Sequence, residues 1–152
     1  MTDPDEAAGI PERSRAYVRK GSDMAENVWQ SLVDGKLLGS GKVSRAAILG
    51  QQGGVLATSE GFALSAQEQQ AIIEAFRDPA AVLATGLRLA GIKYFAWSAD
   101  PGIIIVRKQA DGAILVKTRQ TVLVAVYQAP TMAQEAMPVV ESLADELVNA
   151  GD

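Results

Sequence analysis

From residue 87 to residue 127 the hydrophobic period of this chain is two, and that pattern leaves few folds open. Residues 87–89, 92–98, 103–108, 113–117 and 121–127 each read as a strand. Gly91, Asp100-Pro101-Gly102, Asp111-Gly112 and Arg119-Gln120 lie near the breaks. Those breaks are far shorter than the roughly dozen residues of a parallel crossover, so neighbouring strands run antiparallel, as a meander.

The segments before and after the meander have a different rhythm. Residues 25–38 set Val28, Trp29, Leu32, Val33 and Leu37 at helical spacing, and Gly39 and Gly41 end that helix. Residues 46–50 and 55–58 read as strands joined by a Gln51-Gln52-Gly53-Gly54 hairpin. Ser65-Ala66-Gln67-Glu68 has the form of a capping box and opens a helix carrying Ile72, Ile73 and Phe76 on one side. Asp78-Pro79 stops it and starts a short turn with Pro79 at a first helical position. Val139, Val140, Leu143, Leu147 and Val148 form the apolar stripe of a last helix. A helix at each end of an antiparallel meander predicts an α+β sheet flanked by helices.

Residues 1–23 belong to a different class of sequence. They are broken by Pro4, Gly9, Pro11 and Gly21, and five acidic and four basic residues leave them near neutral. Too little apolar area is present to offset the entropy of ordering. The expected organisation is a disordered leader, or an extension added for expression, over 1–23 and one domain over 24–152. A basic arm at Arg13, Arg15, Arg19 and Lys20 that touches the domain or anionic lipid is the sharper reading.

Composition narrows the chemistry. With no cysteine and no histidine, the chain lacks disulfides, thiolate metal sites and the commonest general base. Nothing in it pairs a nucleophile with a base, so the reading is a binding protein without cofactor or metal, not an enzyme. The net charge of −4 argues against nonspecific nucleic-acid binding. No apolar run reaches the roughly 20 residues of a spanning helix, and the start of the chain lacks the apolar stretch of a secretory signal; the expected location is cytoplasmic. Gly39-Ser40-Gly41-Lys42-Val43-Ser44 imitates a phosphate loop and fails as one. Lys36 stands where its first glycine belongs, and a helix, not a strand, precedes it. The sequential pair Asp145-Glu146 is solvated helix surface. Lys93, Arg107, Lys108, Lys117 and Arg119 all fall in the strand-rich half, either as scattered charge or as a patch for an acidic protein or an anionic headgroup.

Taken in order, a series of segments resembles the profilins. Trp29-Gln30, LLGSGKVSRAAILG at 37–50 and LATSEGFALS at 56–65 resemble their first half. TGLRLAGIKY at 85–94, the ADG hairpin at 110–112, VKTRQTVLVAVY at 116–127 and VVESLADEL at 139–147 resemble the second. The resemblance implies a central antiparallel sheet with the N- and C-terminal helices on one face and small helices on the other. It implies a monomeric, cytoskeleton-associated protein that binds monomeric actin, regulates actin polymerisation, and contacts phosphoinositides and proline-rich ligands.

Residue by residue, the resemblance implies an actin-binding set of Lys93, Arg107, Lys108, Lys117 and Glu135. Ser98 and Gly102 stand where many members carry Arg, and Pro138 replaces a common Lys or polar residue and limits where the last helix begins. The groove for proline-rich ligands maps to Trp29, Leu32, Leu56, Glu146 and Asp152, and only Trp29 keeps the family's aromatic. Flat aromatic faces recognise a proline helix, so this composition implies weakened or lost proline-rich binding. An interaction module of the same fold that binds a non-actin protein or itself is the alternative.

Overall fold

Glycine 41, at φ +80°, closes the first helix of a computed structural model that describes residues 28–52 and 54–150. That helix, α1, is described from residue 28; its middle, Leu32–Leu37, is wound as a π-helix and its end, Leu38–Ser40, as a 3-10 turn. The expected residues 25–27 of it, and the leader over 1–23, lie outside the described residues. There follow β1 (Arg45–Gly50), β2 (Val55–Thr58), α2 (Ala66–Arg77) and α3 (Pro79–Thr85). The meander is β3 (Leu87–Leu89), β4 (Ile92–Ala99), β5 (Ile103–Lys108), β6 (Asp111–Lys117) and β7 (Thr121–Tyr127), and α4 (Ala133–Asn149) ends the fold.

All strand pairs are antiparallel, in the order β2-β1-β7-β6-β5-β4-β3. Alternation sorts the side chains into two cores. Ile104, Val106, Leu115, Val122 and Val124 face α2 and α3, meeting Ile72 and Phe76. Ile114, Leu123, Ala125 and Tyr127 face α1 and α4, meeting Val33, Leu37, Val140 and Leu143. Every residue of β7 is buried because this central strand has helices over both faces, which is why TVLVAVY is nearly continuously apolar. The expected α+β class, with the terminal helices on one face and the small ones on the other, is the observed one.

The capping box at Ser65 forms as read. Ser65 Oγ accepts from the Glu68 N–H at 3.1 Å, and Glu68 Oε1 accepts from the Ser65 N–H at 2.9 Å. Pro79 stands at the start of α3, whose cap Asp78 accepts from the Ala81 N–H.

Two local expectations need correction. Asp111 and Gly112 are strand residues, with Lys108 opposite Asp111, and the turn is Gln109-Ala110 with Gln109 at φ +57°. Gly112 is required by packing: a Cβ there would sit 2.5 Å from the Tyr127 hydroxyl and 2.6 Å from the Val106 carbonyl oxygen. Pro138 does not limit the start of α4, which begins at Ala133 and carries Pro138 in its second turn. The Met132 N–H donates to Glu135 Oε1 at 2.9 Å, so the helix is capped well before the proline. The carbonyl that loses its helical donor, on Gln134, belongs to an exposed residue.

Candidate functional site

Helix α4 packs on β6 and β7, leaving the outer strands β4 and β5 uncovered on that face. Tyr94 and Ala96 turn inward under α2 and α3, so the other parity of β4 meets solvent. Phe95 there is 68% exposed and Trp97 67% exposed. Phe95 lies opposite Arg107, and Ala96 opposite Val106. The register then slips, pairing Ser98 with Ile105 and leaving Trp97 as the extra residue of a bulge. Such a bulge bends a strand and re-aims its side chain.

Each aromatic carries a cation. The Arg107 guanidinium lies 4.8 Å from the Trp97 ring centre, and Lys93 Nζ lies 5.8 Å from that of Phe95. Both are within the range of cation–π attraction. Arg107 Nε is buried and has no hydrogen-bond partner among the described residues.

Beside this strip runs a groove of about 650 Å³ between β4–β5 and the start of α4. Its walls include Trp97, Ile105, Arg107, Tyr127, Met132 and Met137, and among the described residues no carboxylate lines it. A cis Ala129–Pro130 bond lies in the loop that closes one end. Burial raises the Tyr127 phenol above its usual range, with Arg107 opposing and Asp111 adding to the shift. The arrangement suits a partner that presents apolar side chains together with negative charge.

Of the expected actin-binding set, the fold brings Lys93 and Arg107 together on this strip. Glu135 stands on the first turn of α4, at the rim, and is engaged in holding the helix. Besides capping Met132 it receives Lys42 Nζ at 3.2 Å. Those two interactions, the backbone one first, hold its carboxyl below the usual carboxylate range. Lys108 follows Arg107 in the strand and so takes the opposite parity, exposed at the hairpin end. Lys117 lies at the other end of the sheet with Ile73, Phe76 and Arg77 of α2. The strand stops at Lys117, so Arg119 belongs to the β6–β7 turn and shares no strand face with it.

In the expected proline-ligand groove, Trp29, Leu32 and Leu56 are half-buried against the α1–α4 core. Trp29 and Leu56 line one cleft of about 490 Å³ with Gln51, Gln52, Arg119 and Gln120. Glu146 is exposed and pairs with Lys36 of α1 at 3.7 Å. Asp152 lies outside the described residues.

Phe95 and Trp97 were absent from the sequence-derived set, although a signal existed. They share a parity with Lys93, so the strand's alternation puts two large aromatics on the polar side, opposite Ile92, Tyr94 and Ala96.

The fold is that of a small α+β protein with an open sheet face beside the start of its last helix. A family model described as Profilin matches residues 27–152, and the chain belongs to that family of actin-binding regulators of polymerisation. It is 41% identical over 123 residues to Profilin-2 of Acanthamoeba castellanii, a stretch that is 81% of this chain and 98% of that protein. It is 44% identical over 124 residues to the Schizosaccharomyces pombe profilin, with the same coverage of 81% and 98%. A solved structure of S. pombe profilin superposes with a TM-score of 0.80 at 43% identity, covering 82% of this chain and 99% of that one. Mouse profilin IIa, solved with a double repeat from the FH1 domain of mDia1, shares the fold at 19% identity and a TM-score of 0.68, covering 82% of this chain and 99% of its own. No helix among the described residues is long and apolar enough to cross a membrane.

Proposed function

We propose that this protein binds monomeric actin through the exposed face of β4 and β5 and the start of α4, and so regulates polymerisation without making or breaking a bond. The observation that carries the reading is the strip of Phe95, Trp97, Lys93 and Arg107 beside a groove that no carboxylate lines among the described residues. Two exposed aromatics, each backed by a cation with no carboxylate partner among the described residues, are the composition of an interface centre, in a chain whose net charge is negative. Binding is stoichiometric: the protein covers one face of the monomer, blocks addition at one filament end, and favours the conformer with an opened nucleotide cleft.

Lys93, Arg107 and the rim residue Glu135 form the near part of the docking set; Lys108 and Lys117 act from its periphery, through long-range attraction. A phosphoinositide headgroup competes with actin for Lys93 and Arg107. Proline-rich ligands, such as the FH1 repeat bound by mouse profilin IIa, bind weakly here. Leu32 and Leu56 offer no flat aromatic face, and Glu146 is tied to Lys36. Residues 24–152 form the functional unit, at the cytoskeleton.

Titration of the full chain with actin monomers, followed by Trp fluorescence and by pyrene-actin assembly, tests the central claim. Saturable binding with slowed assembly supports it. Absence of binding at high micromolar protein sinks it and moves the same fold to a different partner.

A further inference from the structure

Sulfur is scarce in this chain, and among the described residues it is concentrated in one place. There is no cysteine, and both methionines of the described residues, Met132 and Met137, line the groove beside Trp97 and Arg107. Met132 is 56% exposed, and Met137 is half-buried one turn further along α4. With no thiol to react first, these thioethers are the softest nucleophiles on the face that meets the partner.

We infer that Met132 and Met137 are a redox modification site, and that their conversion to sulfoxides releases the partner docked in the groove; the inference rests on the docking reading above. The oxidant is a peroxide. A thioether lone pair attacks one peroxide oxygen, the S–O bond forms as the O–O bond breaks, and the second oxygen leaves as water once protonated. Sulfur loses two electrons and the peroxide gains them. Each sulfoxide puts a strong acceptor dipole on a wall that was apolar. A partner seated there must strip water from that dipole without supplying a donor, which costs about tenfold in affinity or more. The lesion is reversible by sulfoxide reductases, which makes it suited to regulation. Being more exposed, Met132 reacts before Met137.

The test treats the full chain with hydrogen peroxide, locates each added oxygen by peptide mass spectrometry, and titrates actin before and after. The expected result is oxidation of Met132 ahead of Met137 and a loss of affinity of about tenfold or more. Met132→Leu with Met137→Leu keeps the wall apolar; whatever its own affinity before treatment, peroxide leaves that affinity unchanged. Circular dichroism after treatment separates release from unfolding. Unchanged affinity with both sulfurs fully oxidised overturns the inference and leaves the docking reading intact. Equal sensitivity in the double-leucine variant, with no oxidised methionine on the face, also overturns it. Failure of the untreated protein to bind actin overturns the docking reading and the inference together.

Discussion

The guanidinium of Arg107 stacks 4.8 Å from the ring centre of Trp97, joining the flank of β5 to the bulged residue of β4. Both residues also line the groove, and the indole remains largely exposed to solvent. Because Trp97 is 67% exposed, its packing contributes little to folding.

Trp97→Ala therefore separates binding from stability. Affinity for actin falls by about 2 kcal/mol, roughly 30-fold, as expected for an aromatic near an interface centre. The urea midpoint shifts by no more than about 0.5 kcal/mol equivalent. Arg107→Lys keeps the charge and loses the planar stack, so its affinity falls between wild type and Arg107→Ala. Titration and urea denaturation on the same samples check both.

Gly112→Ala tests the packing of β6 on β7. The added methyl would lie 2.5 Å from the Tyr127 hydroxyl and 2.6 Å from a backbone oxygen that cannot swing away. A loss of about 1–3 kcal/mol in urea unfolding is expected, the usual penalty of overpacking. Tyr127→Phe in the same background removes only the hydroxyl contact; Tyr127 Cζ at 2.7 Å and the Val106 oxygen at 2.6 Å still meet the methyl, so most of the loss remains.

The sheet was legible because its signal is local and repeated: alternation in β4 and β5 and the brevity of the breaks fix antiparallel pairing. What the pattern could not give is the side of the sheet left bare. Phe95 and Trp97 read as ordinary strand aromatics until α4 is seen to stop over β6 and β7. Likewise Lys108 and Lys117 were grouped with Arg107 by their place in the chain, while strand parity and opposite sheet ends separate them. The Pro138 expectation failed because a capping contact three residues into the helix, Glu135 to Met132, outweighed one missing N–H.

Glu68 is a buried carboxylate that serves three backbone donors. Its oxygens accept from Ser65 at 2.9 Å, Ala90 at 3.1 Å and Gly91 at 2.8 Å, tying the start of α2 to the β3–β4 turn. Glu68→Gln replaces one acceptor by a donor and leaves a turn N–H facing another N–H. A stability loss of about 1–3 kcal/mol follows, with faster amide exchange at Ala90 and Gly91. Unchanged exchange there would mean that the turn holds itself.

The two raised or lowered groups at the site give opposite pH trends. Glu135 is held below its ordinary range by the Met132 N–H and Lys42, so its contribution is present above the unfolded carboxylate range and is lost as pH falls through the lowered folded value. Tyr127, raised by burial, contributes stability below the ordinary phenol range that is lost as pH climbs through its raised value. A carboxyl-detected NMR titration shows Glu135 protonating below the ordinary carboxylate range on acidification, and Lys42→Ala moves it back up. Ultraviolet difference titration shows delayed phenolate formation.

The cleft beside Trp29 and Leu56 gives the last prediction. Trp29 and Leu56 already line one cleft, with the amides of Gln52 and Gln120 and the Arg119 side chain around it, while the Gln51 amide donates to the Thr118 carbonyl. A proline helix offers carbonyl acceptors and flat rings, so the donors are present and the matching faces are missing. Leu32→Tyr combined with Leu56→Trp supplies two of those faces on residues that are half-buried rather than core. Affinity for a polyproline peptide then rises by at least about tenfold over the native chain, each interface aromatic being worth on the order of 2 kcal/mol before the cost of ordering it. Actin affinity stays the same, because β4, β5 and the start of α4 are untouched. Equal peptide binding by native and double-variant proteins, measured by Trp fluorescence, would show that the leucines at 32 and 56 do not set proline recognition in this chain.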